Sequence, residues 1–139
     1  MSNDLIFIPV LAHILLIFMV YIYLGRVKTR AVNEGHVDRQ KASLNPKAWP
    51  EYVVKVSNNL GNQFESPTLF YMLSVIYYLT NHVNNILILV MGVYVLSRYV
   101  HAYVHVTSNY IPHRYKSFVT GLLILLALTL WLIYKLVGL

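Results

Sequence analysis

Glu65 is the one acidic residue set inside an apolar stretch of this chain, and Asn58 and Asn62 precede it so that the three follow an i, i+4, i+7 spacing. On a continuous helix they share one face. Arg98, His101, His105 and Asn109 follow i, i+3, i+7 and i+11 and form a second polar stripe, with Arg114 just beyond Pro112. An ionisable side chain at membrane depth costs at least a few kcal/mol and usually faces a bundle interior or a wet cavity, so both stripes are candidate sites. A carboxylate on one and cations on the other admit two uses: pairing with each other across a helix interface, or binding a ligand that carries both signs of charge. The chain has no cysteine, which excludes disulfides, thiolate metal sites and a cysteine nucleophile; any thiol chemistry must use a thiol brought by a substrate. His101 and His105 lack a third ligand at convincing spacing, so no metal site is expected. A b-type haem would need imidazoles facing each other at matching depth, whereas His13 falls mid-span and the other two lie toward a span's cytoplasmic end.

The elements that must carry these residues are read from hydropathy. Hydrophobic residues make up 58% of the chain and charged ones only 12%, half the roughly 25% of an ordinary soluble domain. The apolar residues fall in long blocks, which predicts an all-α membrane protein with four transmembrane helices over about 5–24, 56–79, 86–109 and 118–137. The stretch 66–97 contains no Asp, Glu, Lys or Arg, and Thr80-Asn81-His82-Val83-Asn84-Asn85 within it marks a tight turn between the second and third spans. Pro67 predicts a kink in the second span. The first block follows Ser2-Asn3-Asp4 and ends Tyr21-Ile22-Tyr23-Leu24, unlike a cleaved signal peptide, so it is expected to remain as a span. Arg26, Lys28, Arg30, Arg39, Lys41, Lys47 and Lys55 cluster after the first span and Arg114 and Lys116 before the last, which places both termini on the non-cytoplasmic side. The net charge of +6 is mostly this topology signal and suits anionic lipid head groups or an anionic substrate; nucleic acid is not needed to explain it. A small proton-coupled exporter would want a carboxylate within the first span, which is absent.

At the two stripes the sequence resembles a known family. Four spans in this length, a basic first cytoplasmic loop, Asn62-Gln63-Phe64-Glu65 in the second span, and Arg98-Tyr99-Val100-His101 followed by Arg114 look like the MAPEG superfamily, the membrane-associated proteins in eicosanoid and glutathione metabolism. The segment Asn62-Gln63-Phe64-Glu65-Ser66-Pro67 looks most like the small bacterial members, which implies a bacterial inner membrane. The resemblance covers essentially the whole chain. It implies a homotrimer of four-helix protomers with glutathione, as substrate or cofactor, bound between neighbouring subunits on the cytoplasmic side. A lipophilic electrophile or hydroperoxide would enter from the bilayer as second substrate. By matching positions, Asn62 and Glu65 would hold the tripeptide, Arg98 and His101 would line the cavity, and Arg114 would face the thiol as the catalytic residue. The chain departs from the family's pattern at two positions, with Asn58 where an Arg is common and His105 where a Tyr is common; Lys55 or Arg26 would then replace the cation and His105 the phenol. These departures keep a second reading open: a non-catalytic membrane scaffold or accessory subunit with a protein partner.

Overall fold

The structure, a computed structural model, describes residues 3–138. Its regular elements are helical: α1 (Phe7–Asn33), α2 (Arg39–Leu44), α3 (Glu51–Asn62), α4 (Pro67–Leu79), α5 (Asn85–Val106) and α6 (Ile111–Val137), with 3-10 turns at Asn3–Ile6 and Pro46–Ala48. Three helices are long and apolar enough to cross a membrane, over Asn3–Asn33, Asn85–Val106 and Ile111–Val137.

Helices α1, α5 and α6 fall over three of the four expected spans with different ends, each for a local reason. The first apolar block ends at Leu24, yet α1 continues to Asn33 because Val27 and Ala31 extend the buried stripe of Leu16, Val20 and Leu24. Gly35, with φ of 68°, then lies just past the end, a backbone conformation that side chains other than glycine seldom adopt. The third expected span runs to Asn109, but α5 stops at Val106: Thr107 leaves the helical region, and Asn109 turns left-handed with φ of 50°. Asn109 therefore drops out of the α5 stripe. The last helix starts at Ile111 rather than Phe118, with Pro112 in its first turn where a missing N–H costs nothing. The expected turn over 80–85 is present, with Asn81 left-handed and the Asn84 side chain accepting the Leu87 N–H at 2.8 Å to cap α5.

The second expected span shows the largest difference. Pro67 does not merely kink it; the helix stops at Asn62 and restarts at Pro67, leaving 63–66 outside regular helix. Pro67 has no N–H to donate to the Gln63 carbonyl, and the run Asn58-Asn59-Leu60-Gly61-Asn62 has weak helix propensity. Glu65 thus sits in the break, and Asn58, Asn62 and Glu65 do not lie on one continuous helix.

The core has two parts. One packs Phe70, Tyr77, Leu87, Met91, Tyr94 and Leu128 between α4, α5 and α6; the other packs the α1 stripe against Val53 and Val56 of α3 and Ala102 of α5. Tyr77 donates to the Leu128 carbonyl at 2.6 Å and Tyr99 to the Ala12 carbonyl at 2.8 Å, so buried phenols tie α4 to α6 and α5 to α1. At Gly121 an added Cβ would lie 3.3 Å from Ser97 Oγ and 3.4 Å from the Tyr94 ring, so glycine lets α6 lie close to α5. The outer faces stay apolar, with Leu11, Leu15, Phe18 and Ile22 on α1 and Leu123, Leu126, Leu130 and Ile133 on α6 all exposed. Such a surface is one for hydrocarbon rather than water.

Candidate functional site

The break in the second span, the C-terminal end of α5 and the first turns of α6 converge. Two adjoining clefts lie there, one of about 240 Å³ and one of about 390 Å³, and Asn62, Glu65 and Arg114 line both. His101 and Phe118 complete the smaller, and His105, Asn58 and Ser57 the larger. Six of the residues singled out by sequence, Asn58, Asn62, Glu65, His101, His105 and Arg114, therefore come together although α3, the break, α5 and α6 supply them separately.

Each is held in a definite way. Arg114 Nη1 donates to Asn109 Oδ1 at 2.7 Å, so the left-handed Asn109 that ended α5 aims this guanidinium. His101 Nδ1 lies 3.1 Å from the Arg114 carbonyl, which can only accept, so this nitrogen carries the proton. His101 Nε2 is then a lone pair, buried and with no hydrogen-bond partner. The Asn62 amide donates to His105 Nδ1 at 3.4 Å, which joins α3 to α5 across the larger cleft. Glu65 is exposed, and among the described residues no ion pair reaches it; the pairs present are Arg30–Glu34, His36–Glu34 and Lys41–Asp38, all in the first loop region.

The remaining expected site residues stand elsewhere. Arg98 is 1% exposed and lies behind the cleft, not in its wall. Its Nη1 donates to Ser66 Oγ at 3.3 Å and its Nη2 to the Ser117 carbonyl at 3.4 Å, while Tyr94 and Phe118 rings lie 6.0 and 5.5 Å away. The pairing of Glu65 with Arg98 considered from the sequence is thus not formed, because the broken helix turns Ser66 rather than Glu65 toward α5. Arg98 remains a buried cation with no carboxylate partner among the described residues, and its Nε makes no hydrogen bond. Lys55, half-buried on α3, is near enough to His105 to interact with it electrostatically. Arg26 is exposed on α1 and lines a separate cleft with Arg30 and Glu34, outside the convergent site of this single chain.

Gln63 is not among the expected site residues, yet it is 1% exposed and central to a buried polar chain. Gln63 Nε2 donates to Asn59 Oδ1 at 3.0 Å, and Gln63 Oε1 accepts from His13 Nε2 at 3.1 Å. His13 Nδ1 in turn accepts from the Tyr71 hydroxyl at 2.5 Å. Both nitrogens of His13 are thus engaged in hydrogen bonds. The i, i+4 spacing of Asn59 and Gln63 was the available signal, masked by the more conspicuous charges beside it. Among the described residues no group of three or more His, Cys, Asp or Glu is placed to hold a metal ion.

Apolar helices long enough to span a bilayer, enclosing a polar site at one end, define an integral membrane protein of the helical-bundle class. The chain belongs to the MAPEG family, whose family model matches residues 6–134, nearly its whole length. No curated protein and no solved structure matches it.

Proposed function

We propose that this protein is a glutathione-dependent membrane transferase or peroxidase acting on lipophilic electrophiles or hydroperoxides, with α3 and α4 together forming a fourth crossing and three protomers forming a homotrimer. The observation that carries this reading is the charge arrangement of the clefts: an unpaired carboxylate, Glu65, faces the same space as the Arg114 guanidinium, with Arg98 unneutralised behind. A ligand that satisfies both Glu65 and Arg114 carries a cationic and an anionic group. Glutathione has one ammonium, two carboxylates and a thiol with pKa near 8.5, roughly that of free cysteine. Membership of the MAPEG family, which includes glutathione transferases and peroxidases, supports the choice.

In this reading Glu65 takes the ammonium and Asn62 the peptide backbone, while Arg114 stabilises the thiolate. The thiol proton leaves to water at the open cleft, the adjacent Arg114 guanidinium favouring the ionised sulfur. The sulfur then forms a bond to the electrophilic carbon of an unsaturated carbonyl, the displaced electron pair moves to oxygen, and a proton from water completes the product. With a hydroperoxide the sulfur attacks the O–O bond instead, releasing an alcohol, and a second glutathione completes a disulfide and water. Arg26 and Lys55 are the cations left for the glycine carboxylate, Arg26 from a neighbouring subunit, because it lies away from this site within its own chain.

The test is glutathione turnover by the detergent-solubilised protein with a lipophilic enone and a lipid hydroperoxide. The reading expects wild-type turnover, with Arg114→Ala lowering kcat far more than it raises the KM for glutathione. Equal effects on both constants would make Arg114 a binding residue only. Asn58 and His105, which replace the common Arg and Tyr, favour the second reading, a non-catalytic scaffold or accessory subunit; that reading expects no turnover with either substrate.

A further inference from the structure

The break between α3 and α4 is only four residues long, and its side chains divide cleanly. Gln63 and Ser66, its first and last residues, are buried, whereas Phe64 and Glu65 between them are exposed. Each buried end is fastened to a different helix. Gln63 bonds His13 of α1, which is itself backed by Tyr71 of α4. Ser66 accepts from Arg98 of α5, whose other Nη group reaches the Ser117 carbonyl on α6.

We infer that His13 with Gln63, and Arg98 with Ser66, are two pins that fix this break and so set where Glu65 stands relative to Arg114. They are positioning residues; none of His13, Gln63, Ser66 and Arg98 lines the two clefts. The physical need is plain. Gly61 and Pro67 flank the segment, no side chain crowds Gly61, and the four-residue helical ladder gives way across 63–66 to three-residue bonds, Phe64 N–H to the Gly61 carbonyl at 2.9 Å and Thr68 N–H to the Glu65 carbonyl at 3.2 Å. Such a joint would swivel, and a carboxylate on it would wander by more than the sub-ångström tolerance of a binding constellation, about 0.5 Å. Polar groups are costly at this depth, so a run of Tyr71, His13, Gln63 and Asn59 that lines neither cleft needs a reason of this kind. The inference moves Arg98 from ligand contact to support, and gives His13 a role that its place in the first span does not suggest.

The inference rests on the glutathione reading only for its second readout. The first is amide hydrogen exchange across the whole protein in lipid nanodiscs, comparing wild type with His13→Leu, Gln63→Leu and the double variant, and with His13→Gln, whose amide can still donate to Gln63. Pinning predicts exchange at 63–66 faster by about tenfold or more in each leucine variant, no further gain in the double, near-wild-type behaviour in His13→Gln, and unchanged protection in α5 and α6. Unchanged exchange at 63–66 would overturn it, and so would a uniform loosening of all helices, which marks a core defect. The second readout is glutathione binding, which should weaken about tenfold in the variants that loosen the break. Variants that loosen the break yet bind as wild type would sever the pins from the site. If wild type itself binds no glutathione, the glutathione reading has failed, and the exchange data alone still decide whether the pins exist.

Discussion

Glu65 and Arg98 carry opposite charges yet use them differently. A guanidinium cannot shed its proton, so Arg98 stays cationic in its buried place, and its nearest help is a hydroxyl, a carbonyl and two aromatic faces. Glu65 is exposed and unpaired, so its charge is available for a ligand rather than spent on the fold. Glu65→Gln is therefore expected to change unfolding stability by no more than about 0.5 kcal/mol, as for a surface substitution. The same change should weaken glutathione binding by about 1.5–3 kcal/mol, the range for a hydrogen bond to a charged group. Thermal unfolding and calorimetry on the same preparation check both halves, and a large loss of stability or of the oligomer would return Glu65 to a structural role. At this scale the sequence was informative about which side chains matter, because charge in an apolar block stands out. Gln63 and Ser66 were hidden because neutral polar residues next to a proline look like ordinary turn formers, and only their burial shows what they do.

Helix ends decided which of those side chains meet. The apolar blocks were legible because a bilayer demands long uncharged runs, and the 80–85 turn was legible from its asparagines. What hydropathy could not show was where a helix stops for reasons of backbone geometry. The break at 63–66 takes Glu65 off its helix face, and the end of α5 at Val106 frees Asn109 to hold Arg114. Two substitutions test the elements. Gly121→Val should destabilise the α5–α6 pair by about 1–3 kcal/mol through overpacking, since even a Cβ would lie 3.3 Å from Ser97 and 3.6 Å from the Arg98 guanidinium carbon. Asn84→Ala should cost about 1 kcal/mol by removing the α5 cap. Reversible unfolding in detergent measures both, and a neutral Gly121→Val would mean that α5 and α6 lie farther apart than described.

For the whole molecule, basic residues gather at one end. Arg26, Lys28, Arg30, Arg39, Lys41 and Lys47 lie in the stretch following the first apolar block, and Lys28 rests over the Trp49 ring at 5.0 Å. With that end cytoplasmic, the 80–85 turn faces the opposite side. The absence of cysteine makes the test clean: in right-side-out vesicles an impermeant maleimide should label Asn81→Cys and not Lys41→Cys. The reverse pattern would invert the orientation and move the clefts to the outer side. A family likeness and four apolar blocks made the helical membrane class readable from sequence. The place of Arg26 was not, because it lies outside the convergent site and lines a separate cleft with Arg30 and Glu34, which nothing in its spacing foretells.

The central claim is that the clefts bind glutathione with its sulfur ionised. Titration calorimetry of the purified protein with glutathione, with thiolate ultraviolet absorbance followed as pH is varied, tests it directly. The account predicts saturable binding and thiolate appearing well below the free thiol's pKa of about 8.5, both lost or weakened in Arg114→Ala. No binding at millimolar glutathione, or binding with the sulfur still protonated up to its ordinary pKa, would contradict it.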